Sequence, residues 1–382
     1  MTFVFISSMS PFAWGGSEEL WSRSALELKR CGHRVATSVK EWPQPAESIQ
    51  KLSAAGVAIR YRKPLDLSLP SRLWRKLQGF SPSGEVTDKI SRWLVALQPD
   101  LVCLSLANSQ DGLEYVRVCR DSGIPYVVII HGVYDSLWAT DAVASEMAEL
   151  FSAARRCFFV SESNRILCED QIGAPLPNSE IVRNPFNVLY DVALPWPKTS
   201  EGWRVASVGR LEPHTKGQDI LLKVLAADKW KDRNITVSFY GSGEHFGGVV
   251  HKLASRYAPG RVEFLGHVGN VEEIWRANHA LVMPSRCEGM PLALVEAMCC
   301  ARIGIVTNVG GHAELVKNGI NGFLAAAPTV ELFDEALEEA WGCRQDWKDM
   351  GAEARRTIET LFPANPATVF ARRLETLVKS PA

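Results

Sequence analysis

Short β-branched or aromatic runs recur along this chain with amphipathic stretches between them, and that alternation narrows the fold more than any other feature. FVFIS (3–7), HRVATSV (33–39), DLVCLSL (100–106) and YVVII (126–130) are such runs, and a helical stretch from Glu18 to Cys31 separates the first two. Their apolar residues run on rather than alternate with polar ones. A strand of that kind must be covered on both faces, which is the condition of a parallel sheet between layers of helix. Past residues 184–203 the pattern restarts with RVASVGR, ITVSFYG, VEFLG, HALVMP and ARIGIVT. The passage between, NPFNVLYDVALPWPKTSEGW, holds Pro185, Pro195 and Pro197 with Asn187 and the polar run 198–202, and so reads as an interdomain linker. The expected fold class is α/β, with two Rossmann-like doubly wound halves, 1–187 and 188–366. A chain of 382 residues, 46% of them hydrophobic, can fill two cores of ordinary size.

The overall charge of -1 gives no pull toward nucleic acid. Its distribution is uneven: residues 1–99 carry 14 Lys/Arg against 8 Asp/Glu, net +6, and residues 100–190 carry 6 against 12, net -6. Within the basic part, RYRKPLDLSLPSRLWRKLQGF (60–80) interleaves Arg60, Arg62, Lys63, Arg72, Arg75 and Lys76 with Leu73, Trp74, Leu77 and Phe80. Such a mixture suits either peripheral contact with an anionic membrane or a solvated helix with one buried stripe. Nine scattered cysteines, odd in number and without a CxxC pair, favour reduced thiols in a cytoplasmic compartment over a disulfide framework or a zinc site. The amino terminus lacks a charged leader and breaks at Pro11 and Gly15, so it reads as a first strand and loop. No apolar run approaches the length of a membrane span.

SRCEGMPLALVEAMCCA (285–301) places Glu288 before a Gly289-Met290-Pro291 turn and Glu296 on the apolar helix that follows, expected to begin at Pro291. A carboxylate in apolar surroundings costs several kcal/mol, roughly, unless it is paired or hydrogen-bonded. Both glutamates can reach the carboxyl edge of the preceding strand, where doubly wound sheets bind ligands. They are a pair that grips vicinal hydroxyls, or a pair of satisfied structural glutamates. Gly15 and Gly16 precede a helix near Glu18, which suits a phosphate, an acceptor or merely a tight turn. FYGSGEHFGG (239–248) spaces Gly241, Gly243 and Gly247 one residue off a dinucleotide fingerprint, which keeps a nicotinamide-dependent oxidoreductase as an alternative.

The glutamate pair, followed by VTNVGGHAELVKNGINGFL (306–324), resembles the donor-site signature of the retaining GT-B glycosyltransferases of family 4. The likeness extends to GGSEELWSRSALELKRCGHRV (15–35), VVIIHG (127–132), VSES (160–163), VRNPFN (182–187) and SVGRLEPHTKGQDILL (207–222). It implies a GT-B fold: an acceptor-binding first domain, a donor-binding second one, a cleft between them, and a last helix (about 367–382) returning to the first. It also implies that Glu288, with Gly289, Met290 and Pro291, holds the donor sugar, that Glu296 holds the ribose, and that backbone groups near His267 and Val268 read the base. Arg210 and Lys216 would neutralise the diphosphate, with Gly16, Gly310 and Gly311 near it, and Gly15 and Gly16 would also meet the acceptor. His131 would stand beside the transferred sugar and steady positive charge there. Four residues, 212–215, separate Leu211 from Lys216 where many of the family have three, which predicts a bulged loop.

The resemblance thus implies transfer of a hexose from a nucleoside diphosphate sugar, UDP-glucose by preference, to a hydroxyl acceptor with retained configuration. The acceptor is a saccharide or a lipid-linked saccharide of polysaccharide biosynthesis. No DxD carries over, so neither metal nor cofactor is expected beyond the sugar nucleotide. A noncatalytic sugar-nucleotide binding protein is the other alternative.

Overall fold

The computed structural model describes residues 1–10, 12–63 and 82–379. Of the basic stretch 60–80, all but the first four residues lie outside the described residues. The chain divides into two compact units, one of residues 1–185 with 365–382 and one of 186–364.

The first unit is built on a parallel sheet of β1 (Thr2–Ser7), β2 (Arg34–Lys40), β3 (Ala58–Arg62), β4 (Leu101–Leu106), β5 (Tyr126–Ile130), β6 (Arg156–Phe159) and β7 (Ser179–Ile181). Their order is β3-β2-β1-β4-β5-β6-β7, so the winding reverses between β1 and β4. The continuous apolar runs follow from this. Phe3 and Phe5 of β1 pack among Leu20, Trp21 and Leu28, while Val4 and Ile6 pack on the other side among Ile90, Leu94 and Val116. The helix Pro366–Lys379 lies against the helix Glu18–Arg30 and sends Phe370 and Leu374 into the Phe3 side.

The second unit repeats the plan with β8 (Trp203–Val208), β9 (Ile235–Tyr240), β10 (Val262–Gly266), β11 (Ala280–Met283), β12 (Ile303–Thr307) and β13 (Gly322–Ala325). Its order, β10-β9-β8-β11-β12-β13, reverses between β8 and β11. The strands are parallel throughout.

Residues 186–198 are irregular, as their prolines require, but they are not a loose linker. Phe186, Val188 and Val192 are buried, Arg302 donates to the Pro195 carbonyl at 2.7 Å, and the Tyr190 hydroxyl bonds the Glu359 and Phe362 carbonyls at 3.1 Å. The proline pattern removes regular hydrogen bonding without removing apolar side chains, and those side chains hold the strap to the second unit. Among the described residues no helix is long and apolar enough to cross a membrane.

Candidate active site

The site in the second unit is assembled from the carboxyl ends of three neighbouring strands, β8, β11 and β12, flanking the reversal in strand order. Two loops from that edge are zipped together. The backbone N–H of Arg286 donates to the Thr215 carbonyl at 2.7 Å, and its guanidinium grips Asp219 at 2.7 and 3.0 Å and the Pro213 carbonyl at 2.6 Å. Residues 213–216 form one helical turn rather than a bulge, because a turn closes its own backbone bonds while the Arg286 clamp holds its outer side. The turn delivers Lys216: its Nζ donates to Glu288 Oε1 at 2.7 Å.

Glu288 is 8% exposed. Burial alone would push its carboxyl up, but the Lys216 ammonium, the nearby His312 and the Ser285 hydroxyl outweigh that and hold it below the usual carboxylate range. It is therefore an anion at neutral pH. Lys216 and Ser285 both donate to Oε1, the latter at 2.8 Å.

Sequence reasoning missed His312 and Ser285. His312 is fully buried, and its Nδ1 lies 2.6 Å from the Thr307 carbonyl. A carbonyl only accepts, so Nδ1 carries the proton and Nε2, buried without a hydrogen-bond partner, is left as an acceptor. Burial holds the ring below its ordinary pKa against the pull of Glu288. Thr307 in turn donates to the Ser285 carbonyl at 2.6 Å, so His312, Thr307, Ser285, Glu288 and Lys216 form one connected group. The signal in the sequence was slight: His312 follows Gly310 and Gly311 as any helix-opening residue might.

Gly310 abuts the Glu288 loop. Its φ is +51°, and a Cβ there would stand 2.1 Å from the Glu288 carbonyl oxygen, while Gly311 N–H donates to the Gly289 carbonyl at 2.8 Å. Met290 and Pro291 are buried beneath the same turn. The helix begins at Leu292, not at Pro291, which takes the cap position with ψ 117°; at either position its missing N–H costs nothing. Glu296 is 4% exposed, and its Oε1 accepts both N–H groups of Asn187 at 3.0 Å.

Arg210 follows β8, and its Nε lies 3.2 Å from Glu212 Oε1. His267 and Val268 follow β10, two strands from β8 on the same sheet edge. His131 and the Gly15–Gly16 turn belong to the first unit. His131 is buried at the end of β5, its Nε2 3.1 Å from the Ser105 hydroxyl, and burial pushes its pKa down to about 3, so the ring is neutral. The glycines of 239–248 have a packing role: Gly241, φ +128°, would set a Cβ 2.1 Å from the Gly209 carbonyl oxygen, and Leu211 N–H donates to the Ser242 carbonyl at 2.9 Å.

The family model described as Glycosyltransferase Family 4 matches residues 14–188, and the model described as Glycosyl transferases group 1 matches residues 195–357. The chain belongs to the family-4 glycosyltransferases of GT-B fold. The oxidoreductase alternative is not favoured. An uncharacterized glycosyltransferase of Methanocaldococcus jannaschii is 26% identical to this glycosyltransferase over 263 residues, 63% of this chain and 64% of that one. Over 77 residues, 20% of each chain, it is 39% identical to the UDP-Gal:alpha-D-GlcNAc-diphosphoundecaprenol alpha-1,3-galactosyltransferase of Escherichia coli. The matches thus span less than two thirds of these curated relatives. Anabaena HepE in complex with UDP has the same fold, with TM-score 0.75 at 17% identity over 98% of this chain and 100% of that one; HepE is also known with UDP-glucose.

Proposed function

We propose that this chain transfers a hexose from a UDP-sugar, UDP-glucose by preference, to a hydroxyl of a saccharide or lipid-linked saccharide acceptor, with retention and without a metal or cofactor. The observation that carries the proposal is the Lys216–Glu288 pair: a carboxylate kept ionised although buried, with Oε1 braced by Lys216 and Ser285. Glu288 Oε2 would accept sugar hydroxyls. Lys216 and Arg210 would meet the diphosphate, whose charge grows as the sugar leaves, and the Gly310–Gly311 turn would lie against it. Glu296 would hold the ribose, backbone groups at His267 and Val268 the base, and neutral His131 would steady positive charge at the anomeric carbon. The bond from the anomeric carbon to the phosphate oxygen breaks as the bond to the acceptor oxygen forms on the same face, and the leaving phosphate takes the acceptor's proton. Support for a UDP donor and a lipid-linked acceptor comes from the relatives named above, and the proposal sets the reaction at the cytoplasmic face of a membrane.

Two measurements test this. Glu288→Ala should reduce transfer at least about a hundredfold while UDP affinity, read by calorimetry, stays within a few-fold, because the lost bonds go to the sugar; an equal loss in Glu288→Ala and Glu296→Ala would show the roles to be wrongly divided. EDTA should leave the rate unchanged, and activity that vanishes with EDTA and returns with Mg²⁺ or Mn²⁺ would refute the metal-free reaction.

A further inference from the structure

The single helical turn at 213–216 carries Lys216 but cannot hold it unaided. Few bonds repay the fixing of its backbone: Lys216 N–H donates to the Glu212 carbonyl at 2.7 Å and Gly217 N–H to the Pro213 carbonyl at 2.9 Å. A turn this short leaves its last carbonyls without partners of its own. The Thr215 carbonyl finds them on the Glu288 loop, in the backbone N–H groups of Arg286 at 2.7 Å and Cys287 at 3.3 Å. Gly217, φ +65°, closes the seam, since a Cβ there would stand 1.9 Å from the Pro284 carbonyl oxygen.

One side chain bolts the two loops together. The Arg286 guanidinium meets both oxygens of Asp219, at 2.7 and 3.0 Å, and its Nη1 also donates to the Pro213 carbonyl at 2.6 Å, so it holds the chain on either side of Lys216. Asp219 belongs to the helix Gln218–Leu225, and Gln218 Nε2 donates to the Arg210 carbonyl at 2.7 Å, which ties the backbone of the other cation to the same helix start. Only a planar guanidinium can pair with a carboxylate through two parallel bonds and still reach a carbonyl; an ammonium is a single point of charge. Among the described residues the hydrogen bonds of the Arg286 side chain go to Pro213 and Asp219, so its route to the reaction is the turn. At the far end of that turn Lys216 Nζ rests on Glu288 Oε1 at 2.7 Å.

We propose that Arg286 is a positioning residue for sugar transfer, one that fixes the place of the Lys216 ammonium by bolting the 213–216 turn to the Glu288 loop and reaches the reaction only through Lys216. The inference rests on the reading that Lys216 meets the diphosphate of a UDP-sugar. A double-mutant cycle on the full chain tests it. Wild type, Arg286→Ala, Lys216→Ala and the double variant are each measured for UDP affinity by calorimetry and for UDP release from UDP-glucose. Arg286→Ala should slow release about ten- to a hundredfold, the effect of misplacing a charge that acts on the leaving group, and raise the Kd for UDP only a few-fold. The double variant should release UDP no more slowly, and bind it no more weakly, than Lys216→Ala alone. A merely structural arginine would instead lower the melting temperature, and its effect would multiply with that of Lys216→Ala. Multiplying effects, or an Arg286→Ala enzyme that binds and releases UDP as wild type does, would overturn the proposal. Arg286→Lys stands in for an alanine variant that fails to fold: it keeps the charge but cannot span Asp219 and Pro213 together, so it should be slow as well, and a lysine variant at the wild-type rate would equally overturn the proposal. A wild type that neither binds UDP nor releases it from UDP-glucose would sink the UDP-sugar reading and take this role with it, whereas multiplying effects in a wild type that binds UDP sink the role alone.

Discussion

His131 and Glu18 are buried ionisable groups of one unit whose proton affinities are displaced in opposite senses, and the signs can be worked through. His131 titrates near 3 in the folded chain instead of near 6.5, so between those values the unfolded chain binds the extra proton and stability rises with pH. Glu18 titrates near 7 instead of near 4.5, so between those values the folded chain binds the extra proton and stability falls as pH rises. From about 4.5 to 6.5 the two nearly cancel. The expected outcome is a difference between the two proteins: across that window the denaturation midpoint of Glu18→Gln should climb with pH more steeply than that of wild type, by the equivalent of one proton. A Glu18→Gln curve parallel to wild type would show that Glu18 does not oppose the histidine. Such couplings are not legible in a sequence: His131 ends an apolar run and so announces its burial, whereas Glu18 opens a helix where a solvated acid is the ordinary occupant.

The turns that close one strand end onto the next matter as much as the side chains they carry. Gly310→Ala must either leave the left-handed region or push on the Glu288 carbonyl, so it should cost about 1–3 kcal/mol of stability and lower transfer, although position 310 contributes no side chain. Urea denaturation and turnover measure both; an alanine variant of wild-type stability and rate would show that the turn yields freely. Strands were readable because a run such as YVVII has no other economical home, and Glu288 because a charge there needs a partner. The single turn at 213–216, the Arg286 clamp and His312 were not readable. Each depends on which loops meet at the sheet edge, and chain order sets β8 and β11 far apart in sequence while the fold makes them neighbours. The prolines of 184–203 lie where the chain passes between the two units, and they mark where ladders stop, not where packing does.

At the scale of the whole molecule the charge asymmetry gives the membrane proposal its test. If the net +6 of residues 1–99 holds the enzyme to an anionic leaflet, it should sediment with anionic vesicles at low salt and be released as salt rises, since screening acts over about 10 Å at 0.1 M. Arg72→Glu, Arg75→Glu and Lys76→Glu together should abolish binding; a wild type that stays in solution at low salt would reject membrane contact. The helix Pro366–Lys379 carries a different consequence. It completes the core of the first unit with Phe370 against Phe158, yet 179 residues of the second unit, 186–364, precede it in the chain. On the ribosome, residues 1–185 therefore emerge with the Phe158 side of their sheet uncovered, while residues 186–364 are contiguous and carry their own core. The half that is made first keeps that apolar face open until a helix made after the whole of the other half reaches it.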